Sequence, residues 1–167
     1  LGQARSTARD SLAQARRVVD DLRPELLEST PFDQAIARVV AQWAAHSGVD
    51  AEFKVTGKIR PLHPQVEVTL LRSSQEALAN IRKHARATTA CVTLSYLNNT
   101  VILDVEDNGV GLTQQAGAPD GLTSGGFGLV AMRERVSQLG GELFVESEPG
   151  EGTTLSISLP CENGGAS

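Results

Sequence analysis

The chain has 167 residues, of which 40% are hydrophobic, and this fits one domain of ordinary size with its own core. Its net charge of −5 argues against a nucleic-acid-binding surface, which is usually basic. No apolar run approaches the roughly 20 residues that cross a bilayer, and no signal peptide opens the sequence. Cys91 and Cys161 have no metal-binding spacing and are predicted to be reduced thiols.

The first predicted element is a helix over residues 3–22. Its apolar side chains recur at spacings of three and four and are Ala8, Leu12, Ala15, Val19 and Leu22. The pattern is typical of a helix that packs on another helix. It indicates either a surface helix of the domain or one half of a helical hairpin whose other half is missing. Pro24 ends the helix, and residues 24–31 are predicted to be a connector.

A second helix is predicted over residues 32–47, followed by a strand over residues 51–57. Thr30 is the expected cap of this helix, with Pro31 at the first helical position. Gly48 is expected to end it.

A third helix, over residues 65–87, is the first element with a chemical signature. Glu76, Asn80 and Lys83 cluster on its polar side, with His84 at the edge. A carboxylate and an amide oxygen four residues apart are ligands that Mg²⁺ accepts beside phosphate oxygens, and Lys83 could reach a phosphate. The alternative is an ordinary solvated face.

Two predicted strands, over residues 90–97 and 100–106, lead into a glycine-containing turn. Asp107 stands at the start of this turn, and Gly109 and Gly111 let something flat approach the backbone. The carboxylate is an acceptor suited to the exocyclic amine of a purine. The alternative is a plain hairpin turn, which Asn-Gly often forms.

The loop that follows, residues 112–125, is rich in glycine and polar residues and is predicted to be a mobile lid. Gly126 and Gly128 then open a helix, whose N-terminal N–H groups would suit phosphate. A last hairpin is predicted over residues 142–148 and 153–159. Together the elements indicate an α+β fold, a two-layer sandwich of one mixed, mostly antiparallel sheet with helices on one face.

Four stretches resemble motifs of the GHKL ATPases, which share the Bergerat ATP-binding fold. Residues 75–85 look like the N-box, residues 107–111 and 126–136 look like the two glycine boxes, and residues 152–154 look like the final Gly-Thr segment. The closest resemblance is to the catalytic domain of bacterial sensor histidine kinases, in the nitrate-sensor and membrane-fluidity-sensor subfamily. No phenylalanine-rich box lies between the glycine boxes, as is usual for that subfamily.

The resemblance implies a division of the chain. Residues 1–23 would be the second helix of the dimerisation hairpin, residues 24–31 a linker, residues 32–160 the ATP-binding catalytic domain and residues 161–167 a tail.

The resemblance also implies roles for single residues. Asp107 would accept a hydrogen bond from the adenine amine, with Thr153 nearby through water, and Asn80 would hold Mg²⁺. Glu76 would be the polar or general-base residue near the γ-phosphate. The implied nucleotide-binding positions are Asn80, Lys83, His84, Asp107, Gly109, Gly111, Gly126, Gly128, Leu129 and Thr153.

The implied activity is transfer of the γ-phosphoryl group of ATP to a histidine on the dimerisation hairpin, and from there to a response-regulator aspartate. His46, His63 and His84 lack the acidic-flanked context of that histidine, and the first two are predicted to be structural or solvated.

The expected cofactors are ATP and Mg²⁺, and the expected partners are the phosphoacceptor helix, a response regulator and a second subunit. No nucleic acid or membrane contact is expected, and the expected location is cytoplasmic. A serine kinase of the anti-sigma-factor type and a non-catalytic nucleotide-binding module remain alternatives.

Overall fold

The computed structural model describes residues 24–111 and 126–161. The helices are α1 (Glu25–Ser29), α2 (Phe32–Ser47), α3 (Pro64–Asn80), which continues into a π-helical turn (Ile81–Ala85), and α4 (Gly126–Gln138). The strands are β1 (Asp50–Gly57), β2 (Thr89–Tyr96), β3 (Thr100–Asp107), β4 (Glu142–Glu148) and β5 (Gly152–Pro160). The predicted helix 3–22 and the predicted lid 112–125 lie outside the described residues.

The five strands form one mixed sheet in the order β1-β2-β3-β5-β4. β1 runs parallel to β2, with α3 in the connection between them, and the other three pairings are antiparallel. The register places Asp107 of β3 opposite Thr153 of β5. The predicted α+β class with a mostly antiparallel sheet is confirmed.

Alternation along the strands separates a buried face of the sheet from an open one. Val92, Leu103 and Ile157 are fully buried, whereas the residues beside them in sequence are partly exposed. Helices α2, α3 and α4 contact this sheet, and their apolar side chains join the same core as the buried strand residues. Burial of this apolar area supplies the main favourable term in folding. No helix in the described part of the chain is long and apolar enough to cross a bilayer.

The start of the domain differs in two details from the sequence prediction. The predicted connector 24–31 contains α1, whose Leu27 is buried in the core. Pro31, not Thr30, is the N-cap of α2, and no side chain caps the helix, so the predicted Thr30 cap is wrong. Gly48 ends α2 as predicted, since it adopts φ +76° and its N–H donates to the carbonyl of Ala44.

α3 ends seven residues earlier than predicted. The side chain of His63 caps its start by accepting from the N–H of Gln65 at 3.1 Å, so this exposed histidine has a structural role. After Asn80 the α-helical pattern changes to the π-helical turn, and Arg86 leaves it with φ +50°. The helical projection that grouped Lys83 with Asn80 therefore does not hold beyond Asn80.

Both cysteines are free thiols, as predicted. Cys161, at the start of the predicted tail, is buried in the core, and its N–H donates to the carbonyl of Asn99 at 2.9 Å. Arg60 Nη2 lies 2.7 Å from Cys161 Sγ. Residue 161 therefore belongs to the folded domain.

Candidate functional site

Asp107 is the last residue of β3, and strand alternation places it on the helix side of the sheet with Val105. Its Oδ1 accepts from the N–H of Gly109 at 2.8 Å. Burial raises the pKa of the Asp107 carboxyl above its ordinary value, and hydrogen bonds from the backbone of Gly109 and Thr153 oppose this effect without cancelling it. The result is a half-buried acceptor held in one orientation at the end of a strand.

The two glycines of this turn are required by neighbouring backbone. A Cβ on Gly109 would collide with the carbonyl oxygen of Ala85, at the end of the π-helical turn. Gly111 has φ +79°, and a Cβ there would collide with the carbonyl oxygen of Glu148. Sequence reasoning attributed these glycines to the approach of a base. The structure shows that tight packing against Ala85 and Glu148 already demands them.

Asn108 is a residue that sequence reasoning missed. Its Oδ1 accepts from the N–H groups of Thr88 and Thr89, both at 2.9 Å, and its Nδ2 donates to Thr88 Oγ1 at 2.8 Å. Next to it, the N–H of Val110 donates to the carbonyl of Ala85 at 2.7 Å. These bonds hold the Asp107 turn against the segment that follows the predicted N-box.

The predicted N-box residues lie on α3 and the π-helical turn. Glu76 and Asn80 are both partly exposed on α3, one helical turn apart. Lys83 is exposed within the π-helical turn, and the side chain of His84 lies outside what the structure describes. π-helical turns often occur at functional sites, and this one joins the Asn80 end of α3 to the contact with the Asp107 turn.

The start of α4 packs against α3 through Glu76. A Cβ on Gly128 would collide with Glu76 Oε1 and lie 2.9 Å from Glu76 Cδ. α4 begins at Gly126, as predicted. Leu129 differs from the other predicted nucleotide contacts because its side chain is only 5% exposed and belongs to the core. Any contact of this residue with a nucleotide must use its backbone.

Two hydroxyl-bearing residues, Thr153 and Ser147, lie beside Asp107 on the neighbouring strands of the sheet. Thr153 pairs with Asp107 on one side and with Ser147 of β4 on the other. The hydroxyls of Ser147 and Thr153 lie 3.0 Å apart, so Ser147 is a second residue that sequence reasoning missed. Gly152 has φ +95°, and a Cβ there would collide with the carbonyl oxygen of Asp107. The final Gly-Thr segment is therefore packed directly against the acceptor.

A cleft of about 510 Å³ lies at the ends of β1, β2 and β3 and reaches Asp107 and Asn108. Its lining includes the carboxylates of Asp50, Glu52 and Glu106. A concentration of negative charge repels phosphate. The helix side of the sheet, rather than this cleft, is thus the one suited to a nucleotide.

Comparison with known proteins identifies the domain. The family model described as "Histidine kinase-, DNA gyrase B-, and HSP90-like ATPase" matches residues 65–163, which is more than half of the chain. The signal transduction histidine-protein kinase/phosphatase DegS of Brevibacillus brevis is 36% identical over 156 residues, which are 93% of this chain and 39% of that protein. The corresponding kinase/phosphatase UhpB of Salmonella typhimurium is 36% identical over 146 residues, covering 87% of this chain and 28% of that protein. The chain thus spans about two fifths or less of the length of these relatives.

Solved structures show the same fold. The histidine kinase domain of the blue-light activated histidine kinase EL346 of Erythrobacter litoralis gives a TM-score of 0.62 at 23% identity, over 78% of this chain and 61% of that chain. Full-length ShkA in complex with AMPPNP also gives 0.62, at 18% identity, over 79% of this chain and 30% of that chain. At these identities the likeness concerns architecture alone. With the family model matched over the segment that contains Asn80, Asp107 and Gly128, the chain belongs to the histidine kinase-, DNA gyrase B- and HSP90-like ATPase family.

Proposed function

We propose that this chain is the ATP-binding catalytic domain of a bacterial two-component sensor histidine kinase. The observation that carries the proposal is the position of Asp107. Its carboxylate is fixed by backbone hydrogen bonds, in a turn that is bonded to the end of the Asn80 segment. The similarity to DegS and UhpB, which are named as histidine-protein kinases, supports the same conclusion.

In the proposed complex the adenine lies at Asp107, whose carboxylate accepts from the exocyclic amine. The hydroxyl of Thr153, hydrogen-bonded toward Ser147, holds a water beside the base. The phosphates extend toward the start of α4, where Gly126, Gly128 and Leu129 offer backbone N–H groups at the positive end of the helix dipole. Lys83 and His84 complete the predicted phosphate or ribose contacts.

The donor chemistry of α3 fits Mg²⁺. Asn80 offers an amide oxygen, and the carboxylate of Glu76 is one helical turn away. Mg²⁺ prefers oxygen ligands and is usually bound through a small number of protein groups together with phosphate oxygens and water. When bound, the ion would neutralise charge on the phosphates.

The proposed reaction is in-line phosphoryl transfer. A histidine imidazole of the dimerisation hairpin attacks the γ-phosphorus, the N–P bond forms as the bond to the β–γ bridging oxygen breaks, and ADP leaves with the electron pair. The chain contributes mainly by positioning the nucleotide. Glu76, whose carboxylate lies beside Gly128, is the group that we assign to accept the proton that the imidazole loses. The phosphoryl group then passes to a response-regulator aspartate.

We further propose a homodimer for the longer protein and a cytoplasmic location for this domain. His46 and His63 each use Nδ1 in a local backbone contact, and none of the three histidines has the acidic-flanked context expected of the phosphoacceptor, so we place the phosphoacceptor elsewhere in the longer protein.

Titration calorimetry with Mg-ATP tests nucleotide binding by the chain itself. We expect heat of binding for the natural sequence and much weaker binding in Asp107→Asn. Glu106→Gln is the matched control, because Glu106 adjoins Asp107 but faces the opposite side of the sheet, and this variant should bind normally. If the natural sequence gives no heat, the nucleotide site is wrong.

The phosphoacceptor is tested on the longer protein, with its hairpin, incubated with labelled ATP. We expect a phosphoprotein that is labile in acid and stable in alkali, because it carries phosphohistidine. An acid-stable product would indicate a serine kinase instead, and nucleotide binding without any phosphoprotein would indicate a non-catalytic module.

A further inference from the structure

The amide of Asn108 connects two parts of the chain that are far apart in sequence. Its three side-chain hydrogen bonds all go to Thr88 and Thr89, the residues that lead into β2. The backbone adds a fourth bond, from the N–H of Asn108 to the carbonyl of Thr89 at 3.3 Å. We call these four bonds the Asn108 clamp.

The clamp acts on the segment between α3 and β2, where the backbone changes direction. Arg86 has φ +50°, an unfavourable conformation for a residue with a side chain. Before it, the carbonyl of Ala85 accepts from Val110, and after it, the clamp holds Thr88 and Thr89. The Asp107 turn is therefore bonded to both ends of this bend.

We propose that Asn108 is a positioning residue for nucleotide binding, which sets the Asp107 carboxylate relative to the Asn80 end of α3. The inference rests on the proposed function, because it assigns Asp107 to the base and Asn80 to the phosphate end. Asn108 adjoins Asp107 in the chain, so a rotation of the turn moves the carboxylate directly. A displacement of about 1 Å in a positioning group is enough to lose a large factor in function.

Because Asn108 is exposed, a positioning role can be distinguished experimentally from a role in stability. Asn108 and Thr88 are both exposed, so water can replace the lost partners when the amide is removed. Substitutions at such surface positions usually change stability little. A binding defect in a variant that remains folded would thus report the position of Asp107.

The test measures the Kd of the chain for Mg-ATP and its melting temperature in Asn108→Ala. We expect Kd to rise about tenfold, as weakening of the proposed Asp107–adenine hydrogen bond would cause, with a melting temperature close to that of the natural sequence. Asn98→Ala is the matched control, because Asn98 is an exposed asparagine in the turn at the opposite end of the same strand pair. Its Kd should stay within about twofold.

Asn108→Asp provides the rescue. An aspartate keeps an acceptor for the N–H groups of Thr88 and Thr89, so we expect it to recover most of the lost affinity. Because the clamp sets the base end relative to the Asn80 end, Asn108→Ala should weaken binding more in Mg²⁺ than in EDTA, where Asn80 holds no ion. Binding of Asn108→Ala within twofold of the natural sequence, or an Asn108→Asp variant as weak as Asn108→Ala, would overturn the proposal.

Thr88→Val keeps the inference testable if Asn108→Ala does not fold. It removes the hydroxyl that accepts from Nδ2 and leaves the other three bonds of the Asn108 clamp, so we expect a loss of affinity of about threefold. Unchanged binding in Thr88→Val would then refute the clamp. A natural sequence that does not bind Mg-ATP at all would instead refute the proposed function.

Discussion

Replacing Asp107 with asparagine should separate nucleotide binding from stability. The change keeps the shape of the side chain and leaves an oxygen for the N–H of Gly109, now bonded at 2.8 Å. It removes the charge and turns one acceptor oxygen into a donor, which cannot accept from the adenine amine. Hydrogen bonds to charged groups contribute about 1.5–3 kcal/mol, so Kd should rise about 10- to 150-fold.

The same substitution should not destabilise the ligand-free domain. The pKa of Asp107 is raised in the folded state, chiefly by burial, so the folded state binds the proton more tightly than the unfolded chain. Stability therefore falls as pH rises from the ordinary carboxyl pKa through the raised one, and the penalty is fully present above it. A neutral amide carries no such penalty. Asp107→Asn should melt at the same or a higher temperature than the natural sequence at pH 7.

Two measurements on each protein check this, with Glu106→Gln as the control for loss of a nearby carboxylate. Calorimetric titration gives Kd for Mg-ATP, and thermal unfolding at pH 7 gives stability without ligand. The reasoning is refuted if Asp107→Asn binds like the natural sequence. It is also refuted if the variant melts several degrees lower, because the carboxylate would then be stabilising the fold.

Three further substitutions test contacts around the site. Gly128→Ala should melt at the same or a slightly higher temperature, because the flexible, partly exposed Glu76 side chain can move away from the new Cβ and alanine favours a helix over glycine by about 1 kcal/mol. A clear fall in the melting temperature in thermal unfolding would show that Glu76 is fixed in place. Gly109→Ala should cost about 1–3 kcal/mol in denaturant unfolding, since its Cβ meets the backbone of Ala85, and an unchanged midpoint would contradict that packing. Asn80→Ala should bind ATP equally in Mg²⁺ and in EDTA by calorimetry, and a retained Mg²⁺ enhancement would show that Asn80 is not the ligand.

The sheet was predictable because its strands carry a clean period of two. Val92 and Leu94 in β2, and Leu103 and Val105 in β3, are buried on one face as the alternation predicts. Nothing in the residues of β1 or β2 indicates that these two strands pair in parallel. The pairing of strands depends on how the connecting helix α3 packs on the sheet, and the strand residues alone do not predict that packing.

In the candidate site, the sequence motifs indicated individual residues but not the backbone contacts between them. Asp107 and Thr153 came from the sequence, and the structure pairs them across β3 and β5. The π-helical turn was missed because residues 81–85 look like ordinary helix. It occurs where Val110, 25 positions beyond Ala85 in the printed sequence, binds the carbonyl of Ala85. Asn108 was missed because Asn-Gly also signals a simple hairpin.

The most direct test of the central claim is a titration of the isotopically labelled chain with Mg-AMPPNP, followed by amide NMR. We predict that the largest shifts come from the amides of Gly109, Gly128 and Thr153, on the helix side of the sheet. Shifts that instead gather around Glu52 and Glu106 in the acidic cleft, or no shifts at all, would contradict the proposed nucleotide site.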